Sequence, residues 1–164
     1  MAATLVFPAT NNFNQGDKVG ICTFSSLTWA RRSLELGRGL TAYSELGMDN
    51  HSMNLIMATV RKLDNDPVAQ SALAKLVPVT GGDENISSYR EVIRKTKATS
   101  PYVAIFWTRE HTMAYRYHHH EKEFFDIETG LWRAKYSKDI EAKMKEIVDP
   151  YGAVIGMRLV KLAA

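Results

Sequence analysis

Three stretches rich in β-branched and aromatic residues follow one another in the second half of the chain: YVAIFWT (102–108), HTMAYRYH (111–118) and EFFDI (123–127). Short polar gaps separate them, so they predict adjacent strands joined by tight turns. Whatever else the chain contains has to pack against the sheet these strands make. Upstream the periodicity is helical. Leu27, Ala30 and Leu34 recur at helical spacing between Cys22 and Leu36, and Gly37 and Gly39 stop that run. A second helix is predicted from about Asn50 to Leu63, and a third opens at Asp66-Pro67, carries Val68, Leu73 and Leu76, and ends at Pro78 and Gly81-Gly82. Ser88 with Glu91 three residues later is a capping-box pattern for a helix through about Lys97. SKDIEAKMKEIV (137–148) is a late helix ended by Asp149-Pro150, and AVIGMRLVKL (153–162) a last strand. Residues 1 to 20 read as an irregular entry segment, with Asn11, Asn12, Asn14 and Gly16 discouraging regular structure. Helices first and strands later is the α+β pattern: N-terminal helices packed on a C-terminal antiparallel sheet of four or five strands, in one domain spanning 1–164.

Composition narrows the function classes. The 164 residues are 45% hydrophobic and 24% charged, enough for an ordinary core and a solvated surface. Net charge is +3, but the basic residues are scattered and form no nucleic-acid or polybasic membrane patch. No apolar run approaches the roughly 18 residues of a membrane span. The stretch MAATLVFPATNNF has no basic n-region, and its apolar part stops at Pro8. It is not read as a Sec-type signal peptide, so export would use a route without a cleaved signal.

The single cysteine, Cys22, rules out an internal disulfide and any multi-cysteine zinc cage. It stands where a helix is predicted to begin. A buried apolar thiol would fit there, and so would a nucleophile whose thiolate gains from the helix N-terminus. A nucleophile needs a base, and the five histidines are His51, His111, His118, His119 and His120. His118 and His120 could share one face of an extended segment with Glu121 or Glu123 as an oxygen ligand, but no second ligand pair stands at recognisable spacing. The segment reads as a hairpin tip, and no metal or cofactor is assigned.

His111 stands out through Asp126. An antiparallel hairpin with its loop at His118-His119 sets 117 opposite 120, 115 opposite 122, 113 opposite 124 and His111 opposite Asp126. Opposed residues share a face with Cβ atoms about 5 Å apart, and a two-residue slip leaves them diagonal neighbours. A carboxylate there fixes the imidazole tautomer and leaves the histidine to act as a base.

Taken together, Gly20-Ile21-Cys22 with Trp29, HTMAYRY from His111, and Phe124-Phe125-Asp126 with Gly130-Leu131-Trp132 resemble the YopT/AvrPphB type of papain-like cysteine protease found among bacterial effectors. The resemblance covers both ends of the chain, whereas residues 40 to 98 match only in kind. After the aspartate that family usually carries Pro-Asn, and here Ile127-Glu128 stands instead, so the loop presenting Asp126 is expected to differ.

The resemblance implies a catalytic triad of Cys22, His111 and Asp126. In it His111 takes the thiol proton and the oxyanion is held by the Cys22 N–H and a side-chain donor, Gln15, with Asn14 as the alternate. Such a triad serves peptide hydrolysis, deamidation or transglutamination. A non-catalytic effector that keeps the fold and binds a host partner is the reading from another class. The resemblance further implies a protein substrate in a host or target cell and a cognate chaperone or immunity protein as further partner, with no nucleic acid and no stable membrane insertion. It implies secretion by a type III or type VI-like route and action in the target-cell cytoplasm.

Overall fold

In a computed structural model, the structure describes residues 2–8, 26, 29–31, 33–34, 76–78, 83–98, 102–118, 120–126 and 128–162. Cys22, Asn14, Gln15, His51, His119 and the helix predicted over 50–63 lie outside the described residues, as do the glycines expected to end the first and third helices. Among the described residues the strands are β1 (Thr4–Pro8), β2 (Leu76–Pro78), β3 (Glu84–Asn85), β4 (Val103–Trp107), β5 (Thr112–His118), β6 (Glu121–Asp126), β7 (Gly130–Ala134) and β8 (Gly156–Leu162). The helices are α1 (Tyr89–Ala98) and α2 (Ser137–Val148), and a 3-10 turn over Asp149–Tyr151 follows α2. Every pairing is antiparallel, in the order β1-β7-β6-β5-β4-β8-β2, with β3 also on β8.

The helix expectations for 88–97 and 137–148 hold, and the capping box forms. Glu91 N–H donates to Ser88 Oγ at 3.3 Å, while the Ser87 and Ser88 hydroxyls donate to Glu91 Oε1. The Ser87 N–H, which donates to Glu91 Oε1 at 3.3 Å, and the two hydroxyls hold the Glu91 carboxyl below the usual range. Two stretches are corrected. Thr4–Pro8 is a strand, where an irregular segment is expected, because β7 offers it an edge. Leu76–Pro78 is a strand on β8 and not the end of a helix. Both are short, and their order comes from distant partners that no local pattern reveals. Among the described residues the sheet is accordingly eight-stranded, where four or five strands are expected.

Alternation along the strands gives the sheet two buried faces. One carries Ala104, Phe106, Met113, Tyr115 and Phe124, packed with Val92 and Ile93 of α1 and Ile140, Met144 and Val148 of α2. Burial there pushes the Tyr115 hydroxyl well above the ordinary phenol range. The opposite face carries Ala114, Arg116, Glu123, Phe125 and Leu131, all buried. Ser26, Trp29, Ala30, Arg31, Ser33 and Leu34 have helical conformation, and Trp29 and Ser33 meet that second face. Trp29 is fully buried and stacks on Phe125 with ring centroids 5.5 Å apart and planes 5° from parallel. Such a pair contributes about 0.5–1.5 kcal/mol beyond its buried area.

Arg116 fastens the same helical residues to the sheet. Its Nη1 donates to the Ser33 carbonyl and hydroxyl oxygens. Glu123 lies across the strand pair from it, and Arg133 across the next, donating to Glu123 Oε2 at 3.2 Å. Burial lowers the Arg116 pKa and raises that of Glu123, and each charge partly offsets the other's desolvation. Arg116→Ala should empty a buried position, remove the hydrogen bonds to Ser33 and leave Glu123 with Arg133 as its remaining cation, at a cost of about 3–5 kcal/mol. For a chain of this size that lowers the melting temperature by roughly 6–20 °C. Arg133→Ala, which removes the hydrogen-bond donor from the buried Glu123, should cost about 1–3 kcal/mol in the same thermal scan.

Candidate active site

The β4–β5 hairpin turns through Thr108–His111, and its chemistry fixes His111 before any partner is considered. Thr108 N–H donates to the His111 carbonyl at 2.9 Å, and the Thr108 hydroxyl accepts the N–H groups of Glu110 and His111 at 3.2 and 3.1 Å. A threonine hydroxyl that satisfies nearby backbone donors is a local turn-former. The His111 backbone is thereby held at both polar groups where β5 begins.

In the β5–β6 hairpin, His118 pairs with Glu121 and Tyr115 with Phe124. The register is two residues away from the one expected, with His118 opposite Glu121 and His120 at φ 66° between them in sequence. An even slip preserves the face. His111 and Asp126 become diagonal neighbours on the same side, and His111 Nε2 contacts Asp126 Oδ1 directly. His111 is 4% exposed and Asp126 fully buried, so this is no surface ion pair. With Nε2 committed to Asp126, proton exchange with any reacting group falls to Nδ1.

A face of the imidazole is covered. Tyr151, from the 3-10 turn after α2, stacks on His111 with centroids 4.1 Å apart and planes 17° from parallel. The turn is itself tied down, since the Tyr89 hydroxyl donates to Asp149 Oδ1 at 2.7 Å. Asp126 is held at its other oxygen as well. The Thr129 hydroxyl donates to Oδ2 at 2.7 Å, Thr129 N–H donates to the Asp126 carbonyl at 3.2 Å, and Trp132 Nε1–H donates to Thr129 Oγ1 at 3.0 Å. Lys143 of α2 lies over the Trp132 ring, 4.2 Å from its centroid. Gly130 at φ 124° closes this turn, a conformation that favours glycine.

Of the residues singled out from sequence, the structure brings His111 and Asp126 together, while Cys22 and Gln15 lie outside the described residues. The link to the cysteine segment is indirect: the Ser26 hydroxyl donates to the Thr112 carbonyl, one residue from His111, at 3.2 Å. Trp29 and Trp132 pack the sheet's surroundings as described, and the Trp107 ring lies against Gly156 so closely that a Cβ there would meet it at 2.6 Å. His120 is exposed and pairs with the Tyr117 hydroxyl at 3.2 Å. Thr108, Thr129 and Tyr151 went unnoticed in the sequence. A threonine three residues from a functional residue, on either side, was the available signal for the first two, and nothing local marks Tyr151.

No protein-family model and no curated protein sequence matches the chain. Solved structures do. PatoxP, a cysteine protease-like domain of the Photorhabdus asymbiotica toxin PaTox, superposes with a TM-score of 0.61 at 15% identity, over 97% of this chain and 54% of that one. The chain thus spans about half the length of PatoxP. The Pseudomonas avirulence protein AvrPphB gives 0.58 at 13% identity, over 94% and 96%. The ubiquitin-specific protease encoded by murine cytomegalovirus tegument protein M48, in complex with a ubiquitin-based suicide substrate, gives 0.58 at 11%, over 98% and 85%. The fold is the α+β papain-like fold of cysteine proteases, of the AvrPphB kind, as the sequence resemblance implies.

Because His111 and Thr129 both direct hydrogen-bonding groups at a buried Asp126, Asp126→Ala should cost about 2–4 kcal/mol. Asp126→Asn, which keeps an acceptor oxygen, should cost less. Urea denaturation of the three proteins side by side measures the difference.

Proposed function

We propose that this chain is a thiol enzyme in which Cys22, His111 and Asp126 form a triad for acyl transfer, and that it hydrolyses peptide bonds of a protein in a target cell. The observation that carries the reading is the buried His111–Asp126 contact, with its Nε2 end committed and its backbone pinned by Thr108. The Ser26 hydroxyl on the Thr112 carbonyl supports Cys22 as the third member. Cys22 precedes Ser26 by four residues, about one helical turn.

The chemistry follows from these groups. His111 Nδ1 takes the Cys22 proton, and the thiolate is favoured by the imidazolium and by the free N–H groups at a helix start. Sulfur attacks the amide carbon, and the oxyanion is held by the Cys22 N–H and Gln15. The C–N bond breaks as the imidazolium returns its proton to the leaving amine. Water then gives a proton to His111 and hydroxyl to the thioester, releasing the acid and restoring the thiol. A protein substrate is favoured by the neighbours, two of which are described as protease-like or protease and one of which is bound to a ubiquitin-based substrate. The bacterial toxin and avirulence neighbours support a bacterial effector role.

Mass-spectrometric profiling of new N-termini in a target-cell extract tests this. The wild-type chain should create a reproducible set of cleavages. Cys22→Ala and His111→Ala should each lower their yield by about a thousandfold or more at equal folded concentration. Asp126→Asn should retain a measurable part. Equal cleavage by Cys22→Ala would make the cysteine structural and end the enzyme reading.

A further inference from the structure

The two oxygens of Asp126 are used differently. Oδ1 meets His111 Nε2, and Oδ2 accepts the Thr129 hydroxyl at 2.7 Å. The direction of the second bond is compelled from outside. An indole N–H can only donate and an ionised carboxylate can only accept, so the hydroxyl between Trp132 and Asp126 must receive from the first and give to the second. Trp132 is in turn held under Lys143 of α2. The polarised chain Trp132–Thr129–Asp126–His111 therefore runs from the helix-packed face of the sheet to the imidazole, and its carboxylate is wholly buried.

We propose that Thr129, with its hydroxyl aimed by Trp132, is a positioning residue for the proposed triad. It stops the Asp126 carboxylate from rotating and so keeps Oδ1 on His111. The inference rests on the reading of Cys22, His111 and Asp126 as that triad. A carboxylate locked toward Nε2 stabilises the imidazolium, and the imidazolium stabilises the Cys22 thiolate. Without the Thr129 hydroxyl the carboxylate loses its second anchor, the imidazolium loses support, and the pair reverts toward neutral thiol and imidazole below the ordinary thiol range. The effect on Cys22 passes through Asp126 and His111 and needs no contact with substrate.

The chain's single cysteine makes the readout specific. The iodoacetamide rate–pH profile of the wild type gives the midpoint of thiolate formation, and rates are compared about one pH unit below that midpoint and at about pH 9.5, where nearly any thiol is ionised. For Thr129→Val the rate at the lower pH should fall about tenfold, as one unit of thiol pKa requires, with the rate at the higher pH unchanged. Thr129→Ser, which restores the hydroxyl, should stay within about twofold of wild type at both. Trp132→Phe keeps the hydroxyl but frees its direction, and should lower the low-pH rate about threefold. It carries the test if Thr129→Val does not fold, and circular dichroism sets all samples to equal folded concentration. General loosening of the fold would move both rates. An unchanged low-pH rate in Thr129→Val, or an equal loss in Thr129→Ser, overturns the inference while leaving the triad standing. A wild-type midpoint in the ordinary thiol range, about 8.5, overturns the triad reading and this inference with it.

Discussion

Side chains on paired strands alternate between faces together, and the pairing of His118 with Glu121 fixes that alternation for β5 and β6 at once. It sets Tyr115 and Phe124 against α1 and α2, and Arg116 and Phe125 against the helical residues Ser33 and Trp29. At the end of the same ladder it sets His111 beside Asp126. A slip of one residue would turn either Arg116 or Glu123 into the apolar core and part the histidine from its carboxylate. The candidate site and the packing of both layers are therefore consequences of one register, and neither can drift without the other.

Two pairs of buried polar groups along this hairpin follow different energetic logic. Arg116 and Glu123 occupy a face where a hydrophobic pair could serve as well or better, since desolvation offsets most of what an internal ion pair gains. What Arg116 adds is direction, because its guanidinium reaches the Ser33 carbonyl and fixes the helical residues along the sheet. His111 and Asp126 are held by short local turns instead, through Thr108 on one side and Thr129 on the other. A carboxylate with no exposure and donors at both oxygens cannot relax into solvent. That rigidity is what a general base needs if its ring is to be in place before a substrate arrives.

Much of this was legible in the residues, for reasons that can be named. The strands of the β4–β6 meander announce themselves because aromatic and β-branched residues crowd into them, and α2 because its apolar residues keep helical spacing up to Asp149-Pro150. The His111–Asp126 relation survives a wrong loop position because only even slips preserve the face. β1 and β2 were not legible, since five and three residues gain their order from β7 and β8 far along the chain. Tyr151 was hidden for the same reason, reaching His111 only through the docking of α2. The role of Thr129 depends on a turn closed by Gly130, which departs from the Pro-Asn step of the resembling family and gives no sign that its hydroxyl would turn back onto Asp126.

The central claim is that the Cys22 sulfur and the His111 imidazole form one reacting pair. An experimental structure of the unmodified chain that defines both side chains tests it most directly, through the separation of Cys22 Sγ and His111 Nδ1. The account predicts a separation of about 3.5–4 Å, hydrogen-bond reach for a sulfur that gives up its proton, with Nε2 still on Asp126. A sulfur turned into the core and lying beyond about 6 Å from the ring would contradict it, and would leave a papain-like fold whose buried histidine and aspartate serve stability alone.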